Sequence, residues 1–94
     1  MTQPKWTQDE AIAFESAREC ITDLMAIYSG QIADEEAAAA PDAERLTILE
    51  NRLTQLARER AALTVADHAQ IERVRKQYGA EVRTYREKQQ LRAA

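Results

Sequence analysis

The chain has 94 residues, enough for one domain, but 18 of its hydrophobic residues are alanine, so the core it can build is thin. Two glycines, two prolines and β-branched residues that never alternate over a strand length leave Ala, Glu, Arg, Leu and Gln in the majority, which predicts an all-α protein and excludes a sheet. The net charge of −3 hides a split: residues 1–51 carry 11 acidic and 3 basic side chains, and residues 68–94 carry 3 and 7, so the two ends can attract each other or serve different partners.

The first helix is predicted over about 7–39. Thr7 with Glu10 three residues on has the capping-box pattern, and Asp9 adds negative charge at the positive end of the helix dipole. Phe14, Ala17, Ile21, Leu24 and Tyr28 recur at helical spacing, with Ala13, Cys20 and Ile27 beside them and Ile12, Met25 and Ile32 widening the face. That is more apolar surface than one neighbouring helix covers. Ser29-Gly30 could kink or end the helix, and the four alanines at 37–40 can continue it.

Pro41 suits the first turn of a second helix, predicted over about 41–62. Leu46, Leu49, Leu53, Leu56 and Leu63 form a leucine seam whose missing beat is Arg60. Arg60 either reaches water at the bundle end or pairs with an acid of helix one or of a partner. Thr64 with Asp67 resembles a capping box and opens a third helix, predicted over about 65–90, with a seam of Ile71, Val74, Tyr78, Val82 and Tyr85. Gly79, inside that helix, either permits close approach of another backbone or is simply tolerated. The short link predicts that helices two and three form an antiparallel hairpin, so that the leucine seam meets Ile71, Val74, Tyr78 and Val82. A three-helix bundle is the expected architecture; a long hairpin that forms a homodimer is the second.

Catalytic chemistry is not legible in the chain. A zinc site takes about four nitrogen, sulfur or carboxylate ligands, and the single histidine, His68, and the single cysteine, Cys20, do not make one. Cys20 beside the apolar stripe reads as a small core residue, and no third group orients His68 as its base. There is no glycine-rich phosphate loop. A non-enzyme without metal or cofactor is expected. One cysteine and no signal-peptide pattern fit a cytoplasmic protein, and no apolar run approaches the roughly 20 residues of a membrane span.

Two surfaces are candidates for binding. On helix one, Glu10, Phe14, Glu15, Arg18, Ile21 and Met25 are the predicted partner-binding residues, the apolar face having surface to spare. On helix three, Arg75, Lys76, Arg83 and Arg86 fall on one flank and are the candidate nucleic-acid contacts; Glu72 and Glu87 dilute them, and the bland reading is a solvated flank that pairs with the acids of helix one.

"AIAFESARECITDLMAIYSGQIADEE" (residues 11–36) resembles the first helix of small proteins encoded beside zeta-type kinase toxins. "IERVRKQYGAEVRTYRE" (residues 71–87) resembles their last helix, and the stretch from "PDAERLTILE" to "RERAAL" is similar to the middle one. The resemblance spans most of the chain as a pattern and sets no residue-by-residue correspondence. It implies a three-helix antitoxin, like the epsilon antitoxins, whose first helix blocks the nucleotide site of a P-loop kinase toxin.

Overall fold

The structure, a computed structural model, describes residues 6–93. Thr7 caps the first helix, α1 (Gln8–Glu36), as its sequence predicts: the Glu10 amide donates to Thr7 Oγ1 at 3.1 Å, and the Thr7 amide donates to Glu10 Oε1 at 2.9 Å. The helix runs straight through Ser29-Gly30, where Gly30 keeps a negative φ. It stops at Glu36, before the alanines expected to prolong it. Asp34, Glu35 and Glu36 lie at the negative end of the dipole with no base in the last turn, and the alanines beyond them bury nothing.

The α1–α2 turn is closed by Glu35, whose Oε1 accepts from the Asp42 amide at 2.9 Å. Asp42, not Pro41, begins α2 (Ala43–Ala62): its carboxylate accepts from the amides of Glu44 and Arg45, and Pro41 stands just ahead of the cap. The next boundary also moves. Val65 and Ala66 form a turn, and Asp67 rather than Thr64 caps α3 (His68–Ala93) by accepting from the Gln70 amide at 3.2 Å.

The three helices form an up-down-up bundle with no strand among the described residues. Arg45 lies near Glu35 and Arg60 near Thr22, so α2 runs antiparallel to α1; Glu10 meets His68 and Tyr28 meets Glu81, so α3 runs parallel to it. One contiguous core joins Ala17, Ile21 and Leu24 of α1, Leu56 of α2, Leu63 just after it, and Ile71, Val74, Tyr78 and Val82 of α3. The predicted seam of α3 is thus buried except for the half-buried Tyr85.

The hairpin picture needs one correction. The α2 and α3 axes do run antiparallel, but no Cα of α2 comes within 8 Å of a Cα of α3, whereas α1 approaches both that closely. Ala13, Ala17 and Cys20 are small, so neighbours can close on α1. The leucine seam therefore packs on α1 as much as on α3. Its two heptad lines also differ: Leu49, Leu56 and Leu63 are buried, while Leu46, Leu53 and Arg60 are half-buried. Arg60 occupies the edge line, where only a side-chain stem needs covering, and its guanidinium donates to Thr22 Oγ1 at 3.1 Å. It makes no ion pair among the described residues, so the acid of α1 that could have paired with it is replaced by a hydroxyl.

Long side chains fill the space between α2 and α3. The Arg52 guanidinium lies 5.9 Å from the Tyr28 ring centre and 5.2 Å from that of Tyr78, and it pairs with Glu81 at 3.5 Å. The Tyr28 hydroxyl donates to the other Glu81 oxygen at 3.1 Å. The Arg73 guanidinium also lies over the Tyr78 ring, 5.3 Å from its centre, and pairs with Glu59, which accepts from the Tyr78 hydroxyl as well. Among the described residues, no buried side-chain nitrogen or oxygen lacks a partner.

Neither glycine is required by the backbone, since none has a positive φ. A Cβ at Gly30 would meet nothing within 4 Å; one at Gly79 would lie 3.8 Å from Cys20 Sγ and 3.4 Å from Arg83, both ordinary contacts with side chains rather than with another backbone. Gly30→Ala is therefore expected to stabilise the bundle by about 0.5–1 kcal/mol through helix propensity and chain entropy. Denaturant midpoints of the variant and the natural chain check this; a destabilised variant would show that the outer side of α1 is not open at Gly30.

Candidate partner-binding face

Residues 8–36 of α1 divide cleanly by helical period. Ala17, Ile21 and Leu24 are enclosed in the core, and Ala13, Phe14, Cys20, Met25, Ile27 and Tyr28 pack against it half-buried. On the opposite side Ile12, Glu15, Glu19, Thr22 and Ala26 follow one another at steps of three and four, all exposed, with Ile12 58% exposed. This outer edge carries an exposed isoleucine followed by two carboxylates, and Glu15 and Glu19 make no ion pair among the described residues.

The predicted partner-binding residues do not all reach that edge. Ile21 is fully enclosed, so it cannot touch a partner that leaves the bundle intact; it is a core residue. Phe14 and Met25 are half-buried against the core, and the Arg18 guanidinium lies 5.8 Å from the Phe14 ring centre. Glu10 is taken by two internal duties, the Thr7 cap and a 2.6 Å contact from His68 Nε2. Glu15 and Arg18 remain exposed. Ile12, expected to widen the apolar face, lies instead with Glu19 half a turn from the Ala17–Ile21–Leu24 stripe, and both are exposed. Their signal was position opposite the core.

Glu10 has an electrostatic signature. The Thr7 backbone amide and then the His68 ring hold its carboxyl below the ordinary value of 4.5. A carboxyl depressed in the folded state adds stability above its unfolded value, and that stability is lost as pH falls through the folded value. Acid titration of the unfolding free energy is thus expected to show a decline below about pH 4.5 that is shallower in Glu10→Gln. Identical declines would show that the clamp between the two helix starts contributes nothing.

On α3 the four basic candidates separate. Arg75 pairs with Glu72 at 3.4 Å and Arg86 with Asp23 of α1 at 3.3 Å, while Lys76 and Arg83 are exposed. Two of the four charges are thus neutralised locally, and Tyr78 is buried toward α2 instead of offering a stacking surface. Burial, and next the Asp23 charge, push the Cys20 thiol up, away from the thiolate a nucleophile requires. Among the described residues no group of three or more His, Cys, Asp or Glu side chains could hold a metal ion. None of the described helices is long and apolar enough to cross a membrane. Comparison with protein-family models, with curated proteins and with solved structures finds no match to the chain.

Proposed function

We propose that the chain is a non-enzymatic binding module that presents the outer edge of α1 to another protein, and that this protein is a zeta-type P-loop kinase toxin which the module neutralises as an antitoxin. The observation that carries the binding reading is the Ile12–Glu15–Glu19 edge: exposed, acidic, unpaired, and on a helix whose opposite side is anchored in the core. A phosphate-binding loop presents backbone amides and a lysine, and an acidic helix complements that surface in charge. The choice of kinase rests on the resemblance of residues 11–36 and 71–87 to antitoxins of this type.

Co-expression with the product of the adjacent reading frame tests the proposal. The expected result is a neighbour with a GxxxxGK[ST] motif that is toxic alone, co-purifies with this chain, and loses its toxicity in the complex. A neighbour without a nucleotide-binding motif that does not co-purify would contradict it.

A further inference from the structure

Beyond Val82, α3 buries nothing: residues 83–93 are exposed apart from the half-buried Tyr85, and Leu91 in the last turn is 77% exposed. At this end of the bundle a cleft of about 520 Å³ opens between the last turns of α1 and α3, inside the range of about 300–1,000 Å³ usual for ligand clefts. Leu24, Ile27 and Tyr85 give it an apolar floor, and Glu81, held by Tyr28 and Arg52, closes its inner end.

The two walls of the cleft have opposite sign. Asp34 and Glu35 stand on α1, Lys88 and Arg92 on α3, and no ion pair joins the walls among the described residues. Glu35 is already engaged by the Asp42 amide and Arg45, which leaves Asp34 facing the two bases across the floor. The carboxylates also sit at the negative end of the α1 dipole, where that helix supplies no cation of its own.

We propose that this cleft receives one amphipathic helix of a partner protein, its apolar ridge on the floor, its basic flank toward Asp34 and its acidic flank toward Lys88 and Arg92. Such a helix completes a four-helix end where α3 now stands uncovered. The opposite walls also set its direction, because turning the helix end for end exchanges its flanks. The inference rests on reading the chain as a protein-binding module, but it uses a surface that shares no residue with the outer edge of α1.

Three designed helical peptides of about 18 residues test it, each with the same leucine ridge. The first has one lysine and one glutamate flank, the second two glutamate flanks, the third two lysine flanks. Fluorescence anisotropy is expected to show the mixed peptide binding about ten-fold more tightly than either of the others. Asp34→Lys, an exposed change whose folding far-UV circular dichroism verifies, makes both walls basic and is expected to shift the preference to the glutamate peptide. Equal affinities, no measurable binding, or a preference unmoved by Asp34→Lys would overturn the proposal. So would a concentration-dependent dimer that the mixed peptide does not dissociate, since a second copy would then fill the cleft. Glu15→Lys is expected to leave peptide discrimination intact, so failure of the cleft and failure of the α1 edge are told apart.

Discussion

Leu56→Ala is expected to lower the unfolding free energy by about 2–5 kcal/mol, the largest effect of any single α2 truncation. Leu56 is fully buried and lies in the contiguous core that joins α1 to α3, so its removal both loses apolar burial and leaves a cavity. Leu53, one turn earlier in the same seam, is half-buried on the edge line with Leu46 and Arg60. Its truncation lets water replace the lost atoms and is expected to be the milder of the two. Paired urea melts decide the matter. If Leu53→Ala proved as damaging as Leu56→Ala, the division of the leucine seam into a core line and an edge line would be wrong.

Arg52→Met is expected to destabilise the bundle by about 1–2 kcal/mol, toward the lower end of the range for a hydrogen bond to a charged group because the pair is partly exposed. Methionine keeps an apolar stem against the tyrosines but removes the cation that lies over Tyr28 and Tyr78 and pairs with Glu81. Since α2 and α3 do not approach backbone to backbone, long side chains such as Arg52 supply part of the contact between them, beside the shared apolar core. The exposed Arg58 on the same helix is the control: Arg58→Met is expected to shift stability by no more than about 0.5 kcal/mol. Equal effects at the two positions would mean that the Arg52 contacts contribute only what any surface arginine does.

The helices and most of their faces were legible because they rest on local rules. The Thr7–Glu10 capping box and the Ile71–Val74–Tyr78–Val82 stripe each follow from spacing within one helix. The arrangement of the helices was less so. A short link between α2 and α3 suggests direct contact, but the small residues Ala13, Ala17 and Cys20 make α1 the helix that both others approach. The Arg52–Tyr28–Glu81 contacts link positions remote in sequence through groups that are all polar, and no periodicity announces such a set. The candidate face failed in part for the same reason. An apolar stripe as broad as that of α1 does not say which of its residues are core: Ile21, a predicted partner contact, is enclosed between the helices, whereas Ile12, expected to widen the same face, is exposed.

We propose that the outer edge of α1 binds another protein, a kinase toxin. Calorimetric titration of the purified neighbouring gene product with the natural chain and with the Glu15→Lys, Glu19→Lys double variant tests it most directly. Both positions are exposed, so each reversal is expected to move the stability of the free chain by no more than about 0.5 kcal/mol, while affinity falls by at least about ten-fold, the difference being greater at low salt. Binding of the double variant at full strength, with the free chain folded, would show that this edge of α1 is not the binding surface.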